Sequence, residues 1–275
     1  MIQVTLKGGV VKEYEAGITA ADVAKDLGMG LYKAACGCKV NGKVCDLRTP
    51  LSEDCHLAIL TFDDEEGKKI FWHTSSHLLA QAVKQLFPQA KLAIGPAIEN
   101  GFYYDFDVNT PFTTEDLAKI EAQMKKNAKA NPDLVRFELS PEEAKQKMEE
   151  AGEPYKVELI EEHASKGEPI SFYTLGDFTD LCAGPHLTNT AGIKAVKLTS
   201  STGAYWRGDA KKQQLCRIYG VSFPKASELE AHLTMLEEAK KRDHNKLGRD
   251  LELFTTSELI GQGLPIMLPK GAKIL

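Results

Sequence analysis

No stretch of this sequence approaches the roughly 18 consecutive apolar residues that a membrane span requires, so no membrane partner is expected. The N-terminal run Met1-Ile2-Gln3-Val4-Thr5-Leu6 alternates as a strand does. It lacks the basic start and apolar core of a signal peptide, which points to the cytoplasm. The six cysteines include no C-x-x-C pair, so a structural zinc knuckle is not signalled, and thiols rather than disulfides suit that compartment. No G-x-x-x-x-G-K-[ST] loop occurs, and Gly28-Met29-Gly30 and Gly261-Gln262-Gly263 lack the rest of any phosphate-binding fingerprint. Neither sign of charge dominates. Against 34 Lys+Arg stand 39 Asp+Glu, a net −5, which excludes a polycation coating nucleic acid but not a local basic groove for a folded RNA.

What is present is an ordinary globular composition, 43% hydrophobic and 27% charged, over 275 residues. At about 150 residues per domain, that length suggests two domains. Residues 1–62 read as a small mixed unit. Strands Ile2 to Leu6 and Val10 to Tyr14 flank Gly8-Gly9; a helix, Ala20 to Leu27, is capped by Thr19 and ended by Gly28. Strands Ala34 to Val40 and Lys43 to Cys45 surround Asn41-Gly42, the favoured two-residue hairpin turn, and His56 to Phe62 supplies a last strand. That order suggests a β-grasp module, with Cys36, Cys38, Cys45 and Cys55 filling its small core.

The run Asp63 to Lys69 reads as a charged linker, with a solvated helix start an equally good reading. Helical periodicity runs from Phe71 to Phe87. Paired strands are expected at Lys91 to Pro96 and Gly101 to Val108, a Lys-rich helix at Phe112 to Ala130, and a strand at Val135 to Leu139. A Pro-started helix follows Ser140, then strands Ile170 to Leu175, Ile193 to Ser200 and Gln214 to Val221 and a charged helix from about Ser227 to His244. This second unit is α+β. After His244 a third pattern opens and stops at Leu275 with no room to bury a core, so the chain reads as truncated.

Two clusters could carry chemistry. His73 and His77 lie four apart on one helical face. Asp180-Leu181-Cys182-Ala183-Gly184-Pro185-His186 offers an acid, a thiol and an imidazole on a segment that Gly184-Pro185 keeps from regular helix. Three of the seven histidines and one cysteine form a set that suits either a zinc ion with an open position or a water oriented without metal. Taken alone, a His pair at that spacing is more often two satisfied or exposed side chains than ligands, and a lone C-x-x-x-H is a weak signal. A metalloprotease is excluded, because Thr74 stands where H-E-x-x-H needs its glutamate. Of Phe102, Tyr103, Tyr104 and Phe106, half should face the core, so only the outward tyrosine is a candidate for function.

Three segments, Trp72 to Ala80, Ile94 to Asp105 and Asp180 to Leu187, together resemble the N-terminal half of a bacterial-type threonyl-tRNA synthetase. The resemblance covers the whole chain. It implies a ubiquitin-like TGS (β-grasp) domain at 1–62, a larger α+β editing domain at 63–242, and at 243–275, with Asp243-His244, Gly263-Leu264-Pro265 and Lys270-Gly271, the truncated start of a class II synthetase core. The His and Cys-His cores alone are shared more widely, with alanyl-tRNA synthetase editing domains. The family's complete enzyme activates threonine with ATP, Mg and Zn in a core this chain lacks, and it dimerises through that core. The catalytic and anticodon-binding domains are missing partners; tRNA, through its aminoacylated 3′ end, is the retained one. The resemblance then implies editing, the hydrolysis of serine misattached to threonine tRNA.

Carried over by position, His73 and His77 line the pocket, with His73 activating or orienting water, and Cys182 and His186 form the opposite wall. Lys156 and Tyr104 would meet the terminal ribose and the water, Asp180 would read the amino acid, and Gly95 and Pro96 would bind substrate. The alanyl relatives hold zinc with a matching constellation, whereas the threonyl site resembles a metal-free one. No cofactor is therefore expected in this chain, with zinc at His73, His77, Cys182 and His186 the alternative. Other readings stay open: a non-catalytic tRNA-binding or regulatory module, or a zinc-dependent free-standing deacylase.

Overall fold

Asn41 and Gly42 both adopt positive φ, 49° and 85°, the conformation that a two-residue hairpin turn needs to match strand twist. The turn joins strands Ala35–Val40 and Lys43–Cys45 in a five-stranded sheet. Its order runs Val11–Tyr14, Ile2–Leu6, Cys55–Thr61, Ala35–Val40, Lys43–Cys45, with Ile2–Leu6 parallel to Cys55–Thr61. Helix Ala20–Leu27 covers one face through buried Ala20, Val23 and Ala24, and Thr19 caps it by accepting from the Asp22 N–H. This is the expected β-grasp. Cys38 and Cys55 sit in its core, but Cys36 joins the larger core of the following domain.

The computed structural model describes residues 1–257, 261 and 264–274, so Gln262 and Gly263 of the glycine-rich stretch, and Leu275, lie outside the described residues. Two compact units form, Met1–Ala226 and Ser227–Leu275. The second contains helix His244–Asp250 and a two-stranded sheet, Phe254–Thr256 with Pro265–Met267. The helix expected to reach His244 stops at Lys241. Among the described residues, no helix is long and apolar enough to cross a membrane.

The charged stretch 63–69 is the start of a helix, Glu65–Leu86, and not a linker. Glu65 and Glu66 in its first turn suit the positive end of the helix dipole. Asp64 turns back to accept from the Thr61 N–H at 2.8 Å and the Thr61 hydroxyl at 3.1 Å, binding helix to preceding strand. The approach is so close that a Cβ on Gly67 would lie 1.8 Å from the Thr61 carbonyl oxygen. The helix then runs through the main core, burying fourteen residues including His77. It packs on an antiparallel sheet in the order Ala195–Tyr205, Gln214–Phe223, Gly101–Asp107, Lys91–Leu92.

A third sheet, Leu134–Leu139, Ile170–Leu175 and Phe178–Leu181, carries helices Pro141–Glu150 and Pro154–Ser165. The strand Phe178–Leu181 and the helix Pro154–Ser165 escape the sequence reading, yet they bear Asp180 and Lys156. A two-residue hairpin at Gly176-Asp177 and a proline at the first helical turn were the available signals.

Gly67→Ala should lower stability by about 2–3 kcal/mol, since the added methyl meets main chain that cannot turn aside. Urea unfolding measures it, with Lys126→Ala, on an exposed helical face, expected within about 0.5 kcal/mol of wild type.

Candidate functional site

The helix Glu65–Leu86 places His73 and His77 one turn apart, rings 5.3 Å centroid to centroid. Opposite them, the segment after strand Phe178–Leu181 brings Cys182 and His186. Cys182 Sγ lies 3.2 Å from His73 Nε2 and 3.2 Å from His186 Nε2, and the Gly184 N–H donates to it at 3.3 Å. Gly184 has φ 72°, and a Cβ there would meet the Tyr173 hydroxyl at 2.1 Å, so both conformation and space demand glycine. His77 and His186 are buried, while His73 and Cys182 are half-buried at the mouth.

The proton on the His186 ring can be assigned from its surroundings. Thr74 donates its hydroxyl hydrogen to the Ile70 carbonyl at 2.9 Å, so its oxygen accepts from His186 Nδ1 at 3.2 Å. His186 Nε2 is then an acceptor facing the thiol. The His73 ring turns Nε2 toward the same thiol, and the Pro185 carbonyl bonds that ring. Burial pushes His73 down to about 4 and His77 to about 3, and His186 well below the ordinary imidazole value. Burial also lifts the Cys182 thiol to about 12. At neutral pH the pocket therefore holds three uncharged imidazoles and a protonated thiol.

Beneath His77 lies a buried charge pair. Lys156 Nζ is 2.6 Å from Asp180 Oδ1 and donates to the Tyr104 hydroxyl at 3.0 Å, and Tyr104 donates to Asp180 Oδ2 at 2.6 Å. His77 Nδ1 is 3.7 Å from Asp180 Oδ2. Burial alone would raise the Asp180 carboxyl, but the Lys156 ammonium beside it and the Tyr104 hydroxyl hold it below the usual carboxylate range. Lys156 reaches this point because Glu153, just before its helix, accepts from the Leu92 N–H at 2.5 Å and pairs with Lys84 at 2.8 Å.

All six proposed catalytic residues and Tyr104 thus converge. Gly95 joins them: its carbonyl accepts from Ser76 at 2.5 Å, and a Cβ there would strike the Tyr104 ring at 2.1 Å. Pro96 lies beside it, its carbonyl bonded to the Tyr103 N–H at 3.3 Å. Tyrosine 104 corrects the residue-by-residue reading. The outward tyrosine is Tyr103, stacked on Arg217 at 3.8 Å, whereas the inward, fully buried Tyr104 is the one at the site. Sequence reasoning missed Thr74, Tyr173 and Asp46. Thr74 lay in plain view between the two histidines; Asp46, in the β-grasp part, accepts from the His186 N–H and the Tyr173 hydroxyl across a separation no local pattern reports.

The nitrogen and sulfur donors of His73, His77, Cys182 and His186 lie within 4.8 Å of one another, so they could hold a metal ion. Three imidazoles and a thiol are a donor set that zinc accepts.

Residues 2–61 match the TGS domain family, and residues 170–219 match the family described as threonyl and alanyl tRNA synthetase second additional domain. Proteins named threonine–tRNA ligase resemble the chain throughout. That of Clostridium perfringens is 58% identical over 275 residues, all of this chain and 42% of the relative. That of Acetivibrio thermocellus is 59% identical over 271 residues, 98% of this chain and 42% of the relative. The chain therefore spans about two-fifths of the length of these curated relatives. With a TGS domain, a threonyl/alanyl second additional domain and identity along its whole length, it belongs with the N-terminal part of the bacterial threonyl-tRNA synthetases.

Proposed function

We propose that this chain hydrolyses serine from mischarged threonine tRNA. The observation that carries the reading is that two imidazoles, His73 and His186, each bring Nε2 within 3.2 Å of one partly exposed thiol. Serine lacks one methyl of threonine, and a methyl is worth only about 1–3 kcal/mol in a binding pocket, so a second pocket that admits the smaller residue is needed for fidelity. The ester is already activated. The site has to place a water, take its proton and stabilise the developing oxyanion.

A neutral imidazole can orient that water and accept its proton in the transition state. His73, the histidine nearest solvent, fills this role: as the water oxygen bonds to the ester carbonyl carbon its proton passes to the His73 ring, and as the bond from that carbon to the ribose oxygen breaks the same proton is returned to the leaving oxygen. Cys182 stays a thiol and forms the wall that limits side-chain size. Its raised value argues against a thiolate nucleophile, since hydrolysis needs no covalent intermediate. Lys156, Asp180 and Tyr104 form the charged floor that fixes His77 and faces the amino acid and terminal ribose. Gly95 and Pro96 line the mouth. Where a zinc ion is bound, His73, His77, Cys182 and His186 would hold it, and it would supply an acidified water. The threonine tRNA, the ligase core and its cofactors, and the dimer partner belong to the same proposal.

The purified chain should release serine from seryl-tRNA for threonine while leaving threonyl-tRNA intact, with no change on adding a chelator. Chelator-sensitive release would make the four donors metal ligands; tRNA binding without hydrolysis would favour a recognition module. Replacing His73 with Ala should slow deacylation by about 10²–10⁴-fold while tRNA binding persists, as measured by filter binding alongside the rate. Lys156→Met should cost about 3–5 kcal/mol by leaving the Asp180 carboxylate buried alone, and the double variant Lys156→Met/Asp180→Leu should recover most of that stability in urea unfolding.

A further inference from the structure

The segment carrying Cys182 and His186 is held from outside its own domain. Asp46 follows the last residue of strand Lys43–Cys45 in the β-grasp part. Its Oδ1 accepts the main-chain N–H of His186 at 2.7 Å, and its Oδ2 accepts the Tyr173 hydroxyl at 2.6 Å. Tyr173 in turn packs its ring edge against the His186 ring at 4.4 Å, and its hydroxyl fills the space a side chain at 184 would need. Three constraints therefore set the His186 ring: the Asp46 bond to its main chain, the Thr74 bond to Nδ1, and the Tyr173 ring. One carboxylate acts on two of them.

The seam around this carboxylate is not tightly packed. A cavity of about 350 Å³ opens beside it, lined by Arg48, Leu134, Arg136 and Thr188 among others and touching His186 itself. Arg48 adds a second tie across the seam, donating to the Leu134 and Thr188 carbonyls at 3.1 and 3.2 Å. On the side of that space, directional hydrogen bonds add to the core packing of Leu187 in holding the segment in register. Charge-assisted bonds of this kind are about twice as strong as neutral ones.

We propose that Asp46 is a positioning residue for ester hydrolysis, a carboxylate lent by the β-grasp domain that aims His186 and Cys182 at the pocket. The proposal rests on the hydrolytic reading of that pocket. It makes the β-grasp part a component of the site and not only a separate RNA-binding module.

The test uses the full chain with Asp46→Ala, Asp46→Asn and Tyr173→Phe, read by hydrogen exchange and by single-turnover deacylation of seryl-tRNA. In Asp46→Ala, exchange should quicken in peptides covering 182–188 and stay as in wild type on helix Glu65–Leu86. Its rate at saturating enzyme should fall about 10- to 100-fold, the scale of a misplacement near 1 Å, with the half-saturating concentration within about twofold. Asp46→Asn, whose amide oxygen still accepts from His186, should recover most of the lost rate, and Tyr173→Phe should fall between. Unchanged exchange at 182–188, a wild-type rate in Asp46→Ala, or a loss confined to half-saturation would each overturn the proposal. If Asp46→Ala does not fold, equal rates in wild type, Asp46→Asn and Tyr173→Phe, with equal exchange, would overturn it. If wild type releases no serine, the hydrolytic reading fails by itself, and the exchange comparison still decides whether Asp46 holds the segment.

Discussion

Lys156 and Asp180 face each other at 2.6 Å in a part of the molecule that water does not reach. Each ion loses several kcal/mol of hydration there, and their attraction offsets it only with good geometry and with the remaining lone pairs occupied. That requirement explains much of what surrounds them. Tyr104 gives its hydroxyl to the carboxylate and takes a bond from the ammonium. His77 approaches the same oxygen at 3.7 Å. Glu153, Lys84 and the Leu92 N–H fix the start of the helix that delivers the lysine. Four elements distant in sequence meet at this point, and the pocket sits on it.

The same burial that makes the pair costly keeps the imidazoles neutral. A charged ring among His73, His77 and His186 would face two neighbours of the same kind within 5.3 Å and little water. The result is a cluster of neutral imidazoles about a protonated thiol, with neighbouring groups orienting the rings: the Thr74 hydroxyl for His186, the Pro185 carbonyl for His73 and, across 3.7 Å, the Asp180 carboxylate for His77. Such a cluster can hold a water, a metal ion or an ester. Its shape is set before any of them arrives.

Helix-scale features were legible from the chain because they rest on local physics. The Asn41-Gly42 hairpin, the Thr19 and Ser140 caps and the end of helix Thr114–Ala130 at Asn131, with φ 52°, all follow from what those residues do to their own backbone. The spacing of His73 and His77 on one face was equally local. The charged run 63–69 was not decidable in this way, since exposed acids suit both a linker and a helix start. Close contact between Gly67 and Thr61 selects the helix. The strand Phe178–Leu181 is only four residues long and was lost among turn formers.

By itself the amino-acid order determined the β-grasp and α+β character, the two histidine-bearing clusters and the resemblance that joins them, because periodicity, turn chemistry and motif spacing are properties of neighbouring residues. Alternation alone left open which tyrosine is buried; the resemblance named Tyr104, and the tertiary structure turns Tyr104 inward onto Asp180 and Tyr103 outward onto Arg217. It also decided that Lys156 and Asp180 form one pair, and that Asp46, 140 positions before His186, completes the pocket wall. Such contacts depend on how the sheets and the β-grasp domain close on the Glu65–Leu86 helix, and no local pattern carries that information.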